Sequence, residues 1–346
     1  MKYIYYITFL LSIISCNSEE KPEKIELFHS NIRLDNEYVG KGGDIISCNE
    51  GIIGIEEASA LAPLYKIDTV ENRLTTFGVR GQGPDDFLHP YPLQYISEDK
   101  FGVYDMFLNT YKEVLIPGND GTVRTVSSIK MEKRPYRAIK TAYNQYLGLS
   151  GTDGLFSLMD ETGKEISTLF EYPYKDEDEH AIKNQIRATA YQGILASNPS
   201  GTKCVYASLD GEIIHFYEIL KNGMRSVGKI EKSFPAYAPE ENSNSTASVE
   251  NITGYVSVTA TERYVYALYC GQTLKEMLKK GGLEFQSKEV RVFDWKGNLQ
   301  KTYSLDVPCR YISASKDDQK LWAVAYTPDI HLVSFNIRTA GADQSQ

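Results

Sequence analysis

Short runs in which Val, Ile, Tyr and Phe alternate with polar residues recur along the whole chain, and no long window carries a clean helical period. The predicted elements are therefore strands, and they fall into sets of four. The first set is DIISCNE, GIIGIEE, PLYKID and NRLTTFG, within 44–78, and the second, within 91–128, is YPLQYIS, KFGVYDM, TYKEVLI and TVRTVSS. A third set occupies 136–170, a fourth 193–230 and a fifth 254–305. A sixth, RYISASKDD, KLWAVAY and IHLVSFNI, lacks its fourth run, while EKIELFHSNIRL, 23–34, is a strand left over at the other end. Repetition of four-stranded units predicts an all-β, six-bladed propeller over 23–338, its ring closed by the N-terminal strand pairing with the last blade. The same number of strands also suits a pair of β-sandwiches.

Two stretches interrupt the pattern. Phe234 to Asn251 is polar and reads as a mobile loop, whereas Thr273 to Gly282 places Leu274, Met277 and Leu278 at helical spacing before a double glycine. The insertion is expected to pack on its own blade or to serve as a lid or docking element. The Gly-rich stretch FGVRGQGPDDFLHPY, 77–91, falls where the outer strand of blade one crosses back to begin blade two. No Gly-Lys-Ser/Thr follows it and GxGxxG is absent, so it is read as architecture: Gly78, Gly81 and Gly83 bend the path, Pro84 and Pro90 stiffen it, and Phe87 plugs the gap between blades.

Composition narrows the partners. The 346 residues carry a formal charge of -9 and no basic cluster, which excludes nucleic acid as an expected partner. The 25 tyrosines outnumber the 13 phenylalanines, in keeping with strands that bury a ring and keep a hydroxyl wet. At the N-terminus, Lys2 and an apolar run from Tyr3 to Ile14 are too short to span a bilayer and read as a secretory signal. Ile13-Ile14-Ser15-Cys16 resembles the lipobox of bacterial lipoproteins, and this resemblance implies acylation of Cys16, membrane attachment through it and an outer-membrane, periplasmic or surface location. Residues 1–16 would then be signal and lipobox, 17–22 a tether and 339–346 a tail; the acidic Asn17-Ser18-Glu19-Glu20 resembles the surface-export signal of some lipoproteins.

Candidate chemistry is sparse. The five histidines form no HExxH, GxSxG is absent, KDEDEH at 175–180 lacks a calcium-loop spacing, and Cys48, Cys204, Cys270 and Cys309 show no CxxC. No cofactor or metal is expected, and a Cys270–Cys309 bridge is left open. Arg137, Arg187 and Arg310 stand at or before the first strands of blades three, four and six, with Tyr136, Tyr191 and Tyr311 beside them and Tyr91 and Tyr255 at comparable places. If the register holds, they meet at one mouth of the channel, joined by Asp85 and His89, and form a positive funnel for a carboxylate, phosphate or acidic sugar. Their alternative role is to bind carbonyls and carboxylates between blades.

The segment FGVRGQGPDDFLHPYPLQYISEDKFGVYD, 77–105, resembles an NHL repeat, and the GxGPxxF form together with the lipobox is similar to TolB-like six-bladed propeller lipoproteins. That resemblance implies a binding or scaffold role. The leading expectation is a lipid-anchored, non-catalytic propeller that binds a small anionic or sugar ligand, or an envelope protein, on its loop face. The alternatives are a propeller lyase or hydrolase using His89 or His215, which requires a histidine, a carboxylate and an arginine to converge, and a structural subunit of an envelope complex.

Overall fold

The computed structural model describes residues 24–31, 40, 42–48, 51–240, 245–280, 285–326 and 330–337. The signal, Cys16, the tether and the C-terminal tail lie outside the described residues.

The chain is an all-β propeller. Four antiparallel sheets of four strands follow one another: Gly42–Cys48 to Arg73–Phe77, Pro90–Ser97 to Thr125–Lys130, Arg137–Lys140 to Glu165–Leu169, and Gly193–Ser197 to Gly223–Ser233. These are the first four blades read from the sequence. Apart from the two-stranded sheet of Tyr237–Pro239 and Ser245–Ala247, the remaining strands join in one eight-stranded sheet, because Leu299–Ala314 is a single 16-residue strand. Its first half pairs with Ser287–Asp294 and its second half with Lys320–Tyr326. Separate fifth and sixth sets were expected here. The crossing through Leu305-Asp306-Val307-Pro308 stays extended although it holds two turn-forming residues, and the Asp306 carboxylate is engaged by His29 rather than by a turn of its own segment.

The leftover N-terminal run is divided rather than single. Lys24–Leu27 lies parallel to Thr302–Leu305, and His29–Asn31 pairs antiparallel with the last strand, His29 opposite Phe335. Asp306 fixes the corner between them by accepting from the His29 backbone N–H at 3.2 Å and pairing with His29 Nδ1 at 2.8 Å.

Apolar clusters lie between successive sheets. Phe77, Phe87 and Leu93 join the first two, Tyr111 and Tyr146 the next, and Phe156 and Tyr217 the third and fourth. Ile45, Ile52 and Ile67 of the first sheet share a cluster with Trp322, Val324 and Leu332 of the last strands. Cys48, Cys204, Cys270 and Cys309 are free thiols.

The Gly-rich crossing is architectural, and its parts are specific. Phe87 is fully buried, and Gly78, at φ +80°, packs against its ring. Gly81 and Gly83 leave room for the Asp86 carboxylate, which a Cβ at Gly81 would meet at 2.3 Å and which accepts the Gly83 N–H at 2.8 Å. Lys112 lies beneath the loop, with Nζ donating to the carbonyls of Pro84 at 2.8 Å and Asp86 at 2.5 Å and sitting 5.0 Å from the Phe87 ring centroid. Asp105 takes the Leu88 and His89 N–H groups on one oxygen and those of Phe107 and Leu108 on the other, so one carboxylate ties the crossing to a neighbouring turn.

Phe87→Ala should therefore cost about 3–5 kcal/mol, the range for an aromatic removed from a packed core. Equilibrium denaturation would read it, and an unchanged midpoint would mean that the plug is dispensable.

Candidate functional site

The first strand of each blade runs from the loop face toward the opposite face, so residues at the strand starts gather at one mouth. The inner strands enclose a channel lined by Asp44, Gln94, Ile139, Leu195, Ser257 and Ser313 among others, with a free volume of only about 80 Å³. At its far end Lys316 Nζ donates to Tyr95 Oη at 2.8 Å. Above it, a cavity of about 840 Å³ opens on the loop face, and Tyr91 and Tyr311 line both spaces.

Arg137, Arg310, Tyr311, Tyr91 and His89 all line this cavity, as the register required. Arg137 is 9% exposed; its Nε donates to the Gly193 carbonyl at 2.6 Å and its guanidinium lies 4.2 Å over the Tyr91 ring. Its Nη1 is buried and has no hydrogen-bond partner. The Arg310 guanidinium lies 5.4 Å from the Tyr311 ring centroid, and Tyr311 Oη donates to Glu57 Oε1 at 2.9 Å. Burial pushes the Tyr91 phenol up to about 12 and raises that of Tyr311 as well, so both rings face the cavity as neutral phenols.

Other predicted members lie elsewhere. Arg187 is on the helix Asn184–Ala190, buried, where it donates to the Tyr172 carbonyl at 3.3 Å and to Asn184 Oδ1 at 2.5 Å. Blade four begins only at Gly193, so the helix carries Arg187 away from the mouth and into the joint between two blades. Tyr191 is core, with Oη donating to Glu179 Oε1 at 2.8 Å. The Tyr136 hydroxyl accepts the Gly193 N–H at 3.3 Å, and Tyr255 packs in the core against Tyr269, the rings tilted with centroids 5.4 Å apart. Asp85 is on the exposed edge of the crossing and accepts the Thr125 N–H at 2.9 Å. Of these, Arg187 and Tyr136 bond across the joint between blades three and four.

The cavity also uses residues that sequence reasoning missed. Arg80, from the Gly-rich crossing, lines it while donating to the carbonyls of Ser59, Leu88 and Glu56. Ser248 and Asn251 come from the stretch expected to be a mobile loop, whose described residues form a hairpin, Tyr237–Pro239 with Ser245–Ala247. Leu274 comes from the predicted helix, observed as Leu274–Lys279 with Thr273 and Glu276 forming a capping box, and Phe285 follows it. Both interruptions thus contribute to the wall. The only available signal was their length and position between strands.

The two histidines singled out in the sequence lie in different settings, and the cavity brings His89 together with carboxylates and arginines. His89 shares the cavity with Glu57 and Asp210, but its ring stacks on Phe107 at 5.0 Å and no hydrogen bond ties it to either carboxylate. His215 is on another face, its Nε2 paired with Glu231 at 2.9 Å and its Nδ1 with Tyr217 at 3.1 Å. Among the described residues, no three His, Cys, Asp or Glu side chains converge as a metal site.

The fold and the mouth define a propeller with an amphipathic, arginine-bearing cavity on its loop face. The sequence profile of the TolB-like 6-blade propeller-like family matches residues 65–317, and the chain belongs to that family. A search of curated proteins finds no match. Among solved structures, a protein of Bacteroides fragilis assigned to export is similar at 12% identity and a TM-score of 0.56, over 90% of this chain and 98% of its own. Regucalcin, a calcium-binding protein from Agrobacterium tumefaciens, is similar at 10% identity and a TM-score of 0.50, over 91% of this chain and 95% of its own. At such identities the likeness is one of fold.

Asp44 provides a pH test of the site. Burial beside the channel pushes its carboxyl up from 3.8 to about 6, against the opposing effects of the Leu93 N–H at 3.0 Å and of Arg137. The folded state therefore holds a proton that the unfolded chain releases, and the stability this gives is complete below about pH 4 and lost by about pH 6. Relative to wild type, Asp44→Asn should gain stability as pH rises across that window; a constant difference from pH 4 to 7 in paired denaturation curves would contradict the shift.

Proposed function

We propose that this protein is an exported, lipid-anchored six-bladed propeller, its ring closed by the N-terminal strands, that binds a small anionic organic ligand in the mouth cavity without transforming it. The observation that carries the binding reading is Arg137. A guanidinium this buried normally has its donors satisfied, and here Arg137, which lines the cavity, has its Nη1 buried with no partner among the described residues. A carboxylate or phosphate oxygen would complete it, with Arg310 adding charge and Tyr91, Tyr311, Phe107 and Phe285 adding apolar area. Supporting the ring are the apolar cluster shared by the first and last sheets and the Ser47 N–H donating to Ser313 Oγ at 2.8 Å. Supporting export is the N-terminal pattern ending at Cys16, in keeping with the description of the Bacteroides relative. The calcium of regucalcin is not carried over, since the acid cluster it would need does not converge among the described residues.

The binding test is thermal denaturation of the full chain in detergent with organic carboxylates, phosphates, acidic sugars and short peptides. A ligand at about 100 times its Kd should stabilise the fold by about 2.7 kcal/mol. The gain should fall in Arg310→Ala and in Arg137→Lys, which keeps the charge but loses the fork. Stabilisation that survives both substitutions would move the site elsewhere. The anchor is tested separately: Cys16→Ala should abolish fatty-acid labelling and release the protein from the membrane fraction, and persistent labelling would refute acylation at that residue.

A further inference from the structure

Three groups of the cavity wall lack partners, and they differ in kind. Besides Arg137 Nη1, the Nδ2 amide of Asn251 is buried without an acceptor, in a residue 7% exposed whose Oδ1 is already used by the Ala236 N–H at 2.8 Å. Asp210, in the turn between Lys203–Ser208 and Glu212–Leu220, lines the same cavity. Its carboxylate makes no hydrogen bond or ion pair among the described residues, and burial alone raises its pKa, with no cation near enough to oppose the rise. The Thr253 bridge fixes Asp210 beside the Asn251 loop, on the side of blades four and five, whereas Arg137 begins blade three and stands against Tyr91 of blade two.

Resting on the anion-binding reading, we infer that the ligand is a short peptide with free ends. Its C-terminal carboxylate would meet Arg137, a backbone carbonyl would accept from Asn251 Nδ2, and its N-terminal ammonium would face Asp210. A simple anion would satisfy Arg137 and leave Asp210 repelled. A free amino acid carries its two charges on one carbon and offers no backbone amide carbonyl between them for Asn251 Nδ2. A peptide of two to four residues separates them at roughly 3.5 Å per residue and fits a space of this size. Its side chains would lie against Phe107, Phe285, Leu274 and Val256, which supply the apolar wall.

The experiment is isothermal titration of the full chain with tripeptides of hydrophobic central residue, in free, N-acetylated and C-amidated forms, alongside digalacturonate and inorganic phosphate. The free forms should bind, and each block should weaken binding by about tenfold, one lost charge-assisted contact. Asp210→Asn should weaken the free peptide by a similar factor and leave the N-acetylated peptide unchanged, a pattern that misfolding would not produce. Arg137→Lys should weaken the free peptide and not the C-amidated one. Binding of digalacturonate or phosphate without any tripeptide would overturn the peptide assignment and leave the anion site standing. Equal affinity for blocked and free peptides would also overturn it, and no binding by any probe would overturn both readings.

Discussion

The innermost strand of every blade is an edge strand, and an edge strand buried around an axis must find partners for backbone groups that no further strand can reach. Neighbouring blades supply them with side chains. Leu93 N–H donates to Asp44, Ser47 N–H to Ser313 Oγ, Ile312 N–H to Ser257 Oγ and Ala314 N–H to Thr259 Oγ1. Gln94 imitates a peptide group beside Lys140, taking its N–H on Oε1 and giving its own amide to the Lys140 carbonyl, both at 2.8 Å. Arg137 reaches the Gly193 carbonyl in the same way. These bonds set the spacing of the inner strands and hence the narrowness of the channel.

That spacing shapes the mouth. With the channel too tight for a ligand, only the space above Tyr91 and Tyr311 is left, and its walls are built from what connects the strands: the Gly-rich crossing, the hairpin before Asn251 and the capped helix with Phe285. Arg137 belongs to both systems. One nitrogen stitches blade three to blade four while Nη1 is buried without a partner among the described residues, so a group that joins the inner strands of two blades also lines the mouth cavity. Glu57 and Tyr311 form a hydrogen-bonded pair on the same wall, close to Arg310.

The legibility of the chain followed its physics. Strand content, the four-run repeats, the short helix and the role of Phe87 were readable because alternation, helical spacing and turn chemistry act over a few neighbouring residues. The continuous strand Leu299–Ala314 was read as two because a crossing without a turn has no local mark. The split of the N-terminal run was hidden too, since its partners at Thr302 and Phe335 are hundreds of residues away.

The sequence alone determined a propeller of β-strands and brought Arg137, Arg310, Tyr91, Tyr311 and His89 to one mouth, because the first run of each set begins at the same face. It did not determine which arginine reaches the cavity. Arg187 and Arg137 look alike in sequence, yet the first is held by Tyr172 and Asn184 in a joint between blades and the second lines the mouth cavity, each with one buried guanidinium nitrogen without a partner among the described residues. Only the tertiary structure decided that, together with the arrival of Asp210 and Asn251, since hydrogen-bond satisfaction in a buried site depends on groups that distant blades bring within about 3 Å.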